Sequence, residues 1–430
     1  MMAHRPRNRV FLFLQGPHGP FFAGLGAMLR KTGAAVWRVG FNAGDRAFWR
    51  DHQDYIAYRG TSATWPGTFG DILSDKHVTD LVIYGDSRPH HAQAIKLAKA
   101  RGITVHVFEE GYLRPYWITY ERDGSNGNSR LMQMDVSDMQ AALAQSDFET
   151  ALPPGHWGDM RHHIFYGALY HGFVLLMNRR YRQMPSHRAL PVSAEFKLYL
   201  KRLLLMPFLA LDRLWATRRI RRGGFPYHLA LLQLEHDSAF AAHTPFGSTG
   251  DFLAEVIRGF AQGAPAHHHL VIKAHPLEDG RVPLRRLLRG HAQAAGIADR
   301  VHFVRGGKLA KLLDEARSAV TANSTSGQQV LWRGIPLKTF GAAVYAKPEF
   351  VSSQAVSQFF AAPARPDTKA YREYRRYLLE TSQVPGGFYA ARGRRQLFRH
   401  VIDMMLDDAD PYDAFSAGTA APRQQLRLVT

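Results

Sequence analysis

Carboxylates, imidazoles, a lysine and several hydroxyls gather in six short stretches of the chain, each bordered by an apolar run. Phe108-Glu109-Glu110-Gly111-Tyr112 presents two adjacent carboxylates. Neighbours in an extended chain point to opposite sides, so one at most faces a given ligand. Against a low-polarity wall that carboxyl has a raised pKa and serves as general acid or base; its structural use is to cap a turn. Gln233-Leu234-Glu235-His236-Asp237-Ser238 sets Asp237 beside an imidazole, open to use as nucleophile, acid–base residue, metal ligand or cap of the next turn. Lys273-Ala274-His275-Pro276 places a cation and an imidazole in one tight turn. Asn323-Ser324-Thr325-Ser326-Gly327 supplies hydroxyls and, at a helix start, N–H groups that suit an anion if the Lys-His turn lies nearby; a plain N-cap favours the same residue types. In Tyr84-Gly85-Asp86-Ser87-Arg88-Pro89, Arg88 suits a carboxylate or phosphate, and Asp86 or Ser87 suits a helix cap. Gly16 and Gly19, in Gln15-Gly16-Pro17-His18-Gly19-Pro20, either admit a ligand close to the backbone or make a tight turn. Their spacing is not G-x-G-x-x-G and the Walker lysine is missing, so neither a dinucleotide nor ATP is indicated.

The elements that would position these residues alternate. Strands are expected at Val10 to Leu14, Ala34 to Val39, Leu81 to Tyr84 and Thr104 to Phe108, with helices at Phe21 to Lys31 and His90 to Ala100. A second set follows at Leu229 to Leu234, Leu270 to Lys273, Val301 to Val304, Ala319 to Ala322 and Pro336 to Phe340, with helices at 251–262, 283–295, 308–317 and 327–333. Single helices between strands imply parallel, doubly wound sheets. The expected fold is α/β, with two Rossmann-like domains joined by a helical bridge. Its divisions are an N-terminal Rossmann-like domain at 1–150, a basic bridge at 151–225, a second Rossmann-like domain at 226–350, and helices with a loose tail at 351–430. Two such domains facing each other would make a cleft at strand C-termini, where ligands bind.

Composition narrows the classes. With 55 Lys plus Arg against 36 Asp plus Glu the chain is +19, and 46% of it is hydrophobic, which excludes a disordered or collagen-like protein. Zero cysteines exclude disulfides, a thiol nucleophile and thiolate metal sites; the 22 histidines show no ligand spacing, so no metal is expected. The basic start from Met1 to Arg9 precedes an apolar run too short for a signal peptide, and Leu203 to Leu211 is too short to span a bilayer, so a cytoplasmic location is expected. Residues 178–222 hold twelve Lys or Arg and only Glu195 and Asp212 as acids. Interleaved with Phe208, Leu211, Leu214 and Trp215, those cations suit an anionic membrane surface; a solvated helix face is the structural alternative. No nucleic-acid-binding signature accompanies them.

Together, Glu109-Glu110-Gly111, Lys273-x-His275-Pro276 and Ser324 to Ser326 resemble the motif set of bacterial CMP-sugar glycosyltransferases with a GT-B fold. Gln15-Gly16 with Gly19-Pro20-Phe21-Phe22, Phe-Glu-Glu-Gly-Tyr-x-Arg-Pro and Gln233-x-Glu235-x-Asp237 resemble, more closely, the capsular polysaccharide biosynthesis/export proteins of the KpsS/LipB type, over about residues 10–350. The resemblance implies a retaining β-Kdo transferase that moves Kdo from CMP-Kdo onto a phosphatidylglycerol-type lipid. It implies Asp237 as nucleophile, Glu110 as acid–base carboxylate with Glu109 its neighbour, and His275, Lys273, Ser324, Thr325 and Ser326 around the CMP phosphate. Gly16, Gly19, Arg88 and Gln233 complete the expected substrate contacts. No cofactor beyond the CMP-sugar donor is implied, and a monophosphate leaving group does not require a metal. The expected partners are the CMP-sugar, an anionic glycerophospholipid, the inner-membrane surface and other capsule assembly proteins, with no nucleic acid. A non-catalytic accessory protein of capsule export, or a transferase using another CMP-sugar such as CMP-sialic acid, are the alternatives.

Overall fold

The computed structural model describes residues 9–49, 51–145, 159–181, 183 and 192–420. The chain forms two compact units. The first comprises 1–130, 138–187 and 376–430, and the second 131–137 and 188–375. This differs from four consecutive segments: the expected bridge is divided between the units, and so is the C-terminal segment, with Val356–Ala361 and most of Thr368–Glu380 in the second and Ala391–Leu406 and Pro411–Ser416 in the first.

The first unit is built on a seven-stranded sheet. Its strands are β1 (Val10–Phe13), β2 (Ala35–Gly40), β3 (Tyr55–Ala57), β4 (Asp80–Tyr84), β5 (Thr104–Glu110), β6 (Trp117–Arg122) and, from the far end of the chain, β12 (Gln383–Pro385), in the order β12-β6-β5-β4-β1-β2-β3. From β5 to β3 neighbours run parallel. The edge pairs β5–β6 and β6–β12 are antiparallel, so the sheet is mixed rather than purely parallel. Strands such as Val-Phe-Leu-Phe are apolar throughout because both faces are covered: Phe11 and Phe13 enter one core with Phe22, Phe108 and Leu397, while Leu12 and Leu14 enter another with Trp65, Phe69 and Val105. The strand expected at Thr104 to Phe108 is β5, which does not stop at Phe108. It continues because Glu109 and Glu110 pair with Thr119 and Ile118 of β6. The expected loose tail also changes: Pro411–Ser416 is a helix, capped by Asp410, with Tyr412 and Phe415 buried. Residues 421–430, like Met1 to Asn8, lie outside the described residues.

The second unit carries a five-stranded parallel sheet, β11-β10-β7-β8-β9. Its strands are β7 (Tyr227–Leu231), β8 (His269–Lys273), β9 (Val301–Val304), β10 (Ala316–Thr321) and β11 (Leu337–Thr339). Helix Thr249–Gly263 opens on Ser248, whose hydroxyl accepts the Asp251 N–H, and its buried face packs Phe252, Leu253, Val256 and Phe260 into the core beside β7 and β8. The helix expected at 308–317 is only Ala310–Leu313, because pairing with β7 draws the chain into β10 from Ala316 onward. No helix among the described residues is long and apolar enough to cross a membrane.

Candidate active site

In the second unit, three of the polar clusters leave the C-terminal ends of three adjacent strands, β10, β7 and β8. Gln233, two residues beyond β7, bonds reciprocally with Asn323, two beyond β10: its Nε2 donates to Asn323 Oδ1 (2.7 Å) and its Oε1 accepts the Asn323 N–H (3.0 Å). Gln233 therefore ties two strand ends together. Glu235 Oε2 accepts the Thr249 N–H at the head of the 249–263 helix (2.7 Å). Asp237 is exposed at the start of helix Ser238–His243, where its carbonyl accepts the Ala241 N–H. Of the three polar residues in Gln-x-Glu-x-Asp, two thus have side chains that brace the scaffold and the third stands at the surface.

Lys273 is buried at the end of β8, its ammonium donating to the Ala274 carbonyl (3.2 Å). Burial, reinforced by Arg213, brings its pKa down to about 8. Half-buried His275 accepts the Leu277 N–H at Nδ1 (3.1 Å), so the neutral ring carries its proton on Nε2 and can donate from there. Ser324 is buried and its hydroxyl accepts the Ser326 N–H (3.2 Å), while the Gly327 N–H bonds back to Ser324 O. The helix that follows, Gly327–Leu331, has only five residues. The expected anion site at a helix start is therefore corrected: its amides serve the turn, and the half-buried Thr325 and Ser326 hydroxyls are what the segment presents. Sequence reasoning passed over Arg305-Gly306-Gly307-Lys308, which leaves β9 at the same edge. A Cβ at Gly306 would stand 3.4 Å from Pro276 Cα, so this loop packs directly on the Lys-x-His-Pro turn.

In the first unit, β1, β4 and β5 present a second polar edge. Arg88 donates to Gln15 Oε1 (3.0 Å) and lies over the Tyr84 ring, while Gln15 Nε2 donates to the Tyr170 hydroxyl (3.0 Å). Glu110 Oε1 accepts from the Tyr84 and Tyr389 hydroxyls, each at 3.4 Å. Burial holds the Tyr84 hydroxyl far above its ordinary pKa, so it stays a donor. Glu109 Oε1 instead accepts the N–H of Glu110 (2.9 Å). The two carboxylates thus have different surroundings, as opposite orientations demand. A buried carboxyl pushed up to about 7 occurs on the same sheet at Glu121, where full burial outweighs hydroxyl donation from Ser129, Tyr112 and Tyr412.

Two expected contacts and one expected helix cap have uses within the chain itself. A Cβ at Gly16 would stand 2.5 Å from the Phe22 ring, and Gly19 has φ +101° with the Tyr166 ring against it, so both glycines answer to packing and a tight turn. Asp86 is buried and accepts from the Ser125 N–H (2.8 Å) and Asn128 Nδ2 (3.1 Å), holding that turn rather than capping helix Pro89–Lys99. Among the described residues no group of three or more His, Asp or Glu side chains is arranged to hold a metal ion.

The capsule polysaccharide biosynthesis protein family model matches residues 79–389. The capsule polysaccharide export protein KpsS of Escherichia coli is 31% identical over 395 residues, 89% of this chain and 97% of its own. The capsule polysaccharide modification protein LipB of Neisseria meningitidis serogroup A is 30% identical, over 88% of this chain and 91% of its own. Among solved structures, the β-Kdo 2,7-transferase KpsC of Thermosulfurimonas dismutans matches with a TM-score of 0.42 and 12% identity, covering 91% of this chain and 97% of that one. With a family match over more than half its length and relatives of this identity, the chain belongs to the capsule polysaccharide biosynthesis protein family.

Proposed function

We propose that the protein is a retaining glycosyltransferase that moves Kdo from CMP-Kdo onto a phosphatidylglycerol-type lipid, beginning the Kdo linker of a capsular polysaccharide. The observation that carries this reading is the shared edge of β10, β7 and β8, from which Gln233-x-Glu235-x-Asp237, Lys273-x-His275-Pro276 and Ser324-Thr325-Ser326 all depart. Breaking the Kdo–phosphate bond places negative charge on departing CMP and positive charge on the sugar carbon, so the reaction needs cations and donors on one side and a carboxylate on the other. Lys273, His275 Nε2–H and the Thr325 and Ser326 hydroxyls receive the phosphate. Asp237 attacks the anomeric carbon as CMP leaves with the bonding electrons. The acceptor oxygen then displaces Asp237 and gives its proton to a general base, the role that the family resemblance assigns to Glu110, and two inversions give retention. The tyrosines on Glu110 hold it in place. The location that goes with this chemistry is the cytoplasmic face of the inner membrane, held there through the basic 192–222 helix.

Incubation with CMP-Kdo or CMP-sialic acid and a phosphatidylglycerol-type acceptor tests the reading: a Kdo-lipid product is expected. Product from CMP-sialic acid alone reassigns the donor, and CMP binding without any product supports the accessory role.

Lys273 adds a pH dependence. Its ammonium is half-formed at about pH 8 and is progressively lost above it, whereas an ordinary lysine has its midpoint at about 10.4. CMP affinity is therefore expected to fall about ten-fold per pH unit between about pH 8 and 9.5, with proton uptake on binding in that window. Calorimetry in buffers of different ionisation enthalpy measures both, and a flat affinity over that range removes Lys273 from the phosphate site.

A further inference from the structure

Helix Val192–Arg222 changes character along one face. Leu204, Phe208, Leu211 and Trp215, spaced four, three and four residues apart, share that face and are 69%, 68%, 54% and 68% exposed. Continuing the same stripe brings Arg218, Arg219 and Arg222. Where the apolar part ends, a groove of about 550 Å3 opens between this helix, helix Leu284–Ala294 and edge strand β9. Trp215, Ile220, Leu288 and Phe303 form its apolar wall, and Arg219, Arg285 and Arg289 its cations. Asp212 is the acid in the lining and bonds to Arg285 through both oxygens, at 2.7 and 2.6 Å. Arg285 also lies 5.4 Å over the Phe303 ring. His302 contributes no charge at neutral pH, since burial, His269 and Arg219 bring it down to about 4.

We propose that this groove seats one anionic glycerophospholipid of a membrane leaflet, with the phosphate among Arg219, Arg285 and Arg289 and an acyl chain along the Leu204–Trp215 stripe. The dimensions agree. The eleven helical rises from Leu204 to Trp215 span about 16 Å, the reach of much of an acyl chain, and the groove volume falls in the range of small-molecule sites. An apolar stripe of this length has no use for a free phosphate, and nucleic acid would call for cations along the stripe beside its rings, whereas here the stripe's arginines follow only after Trp215. The inference shares only the lipid class with the proposed transferase, and its test uses no nucleotide.

The experiment is co-sedimentation of the full chain with vesicles of phosphatidylglycerol and phosphatidylcholine, against phosphatidylcholine alone, at fixed salt. Binding is expected to require phosphatidylglycerol. Arg219→Gln with Arg289→Gln should lower partitioning about twenty-fold, close to five-fold per arginine. Asp212→Asn, which removes the competing carboxylate, should raise it several-fold. Arg365→Gln with Arg372→Gln, two exposed arginines of the same unit outside the lining, should change it less than three-fold. Equal loss in the two double variants, a fall on Asp212→Asn, or displacement of vesicles by single-stranded RNA would each overturn the proposal. CMP affinity should be unchanged in every groove variant. Failure of sugar transfer with intact lipid seating would therefore defeat the transferase reading alone.

Discussion

Asparagine at Asp237 is expected to reduce Kdo transfer by about a thousand-fold or more, because an amide cannot form the ester intermediate through which retention would proceed. Asp237 is exposed at the head of a six-residue helix, so the variant should keep its melting temperature, and CMP affinity should stay within about two-fold. Glutamine at Glu110 should lower the rate by about a hundred- to ten-thousand-fold, the usual range for a lost acid–base group. Its amide can still accept from the Tyr84 and Tyr389 hydroxyls, so local packing survives. A kinetic assay paired with CMP calorimetry separates chemistry from binding. Wild-type rates in Asp237→Asn would remove that residue from the mechanism, and loss of CMP affinity equal to the loss of rate would recast it as a binding group.

The framework of both units was open to sequence reading wherever local pattern decides it. Strands covered on both faces announce themselves as unbroken apolar runs, and β1, β4 and β8 do so. The polar clusters then fall at strand ends because a doubly wound sheet places its loops there. What escaped depends on partners distant in sequence. β6 and the edge strand β12 pair across some 260 residues, Gln383 against Thr119, and neither has a local signal strong enough to mark it. Tyr389 reaches Glu110 from 279 residues away, so nothing near Glu110 reveals its hydrogen-bond donors. Gln233 and Asn323 were visible as polar residues after strands, but only strand order shows that they bond each other. Gly16 was ambiguous for the opposite reason: a glycine kept small by the Phe22 ring looks the same in sequence as one kept small for a ligand.

The chain is expected to lose stability sharply under mild acid, through histidines folded in the neutral state. His90 in the first unit and His228 in the second are buried, and both are brought down to about 3, mainly by desolvation, with Arg88 opposing charge on His90 and His268 and Arg317 on His228. His228 bonds Ser318 Oγ at 2.7 Å and His268 at 3.0 Å, while His90 packs 4.6 Å from the Phe41 ring. In the unfolded chain each has its ordinary pKa near 6.5, so between about pH 6.5 and 3 the unfolded state binds the extra proton. Stability is therefore complete above about pH 6.5 and falls as pH drops, by about 2 kcal/mol per histidine between pH 7 and 5. In the second unit His302, brought down to about 4, adds a similar loss, whereas in the first the Glu121 carboxyl, pushed up to about 7, takes up a proton in the folded state over the same range and offsets about what His90 loses, so the acid loss should fall mainly on the second unit. Denaturant melts of the full chain at both pH values, read by hydrogen exchange to resolve the units, measure the loss. His90→Phe should remove about 2 kcal/mol of the pH dependence from the first unit alone, and His228→Phe the same from the second, whatever either does at pH 7. A pH dependence unchanged in both variants would place its origin elsewhere in the chain.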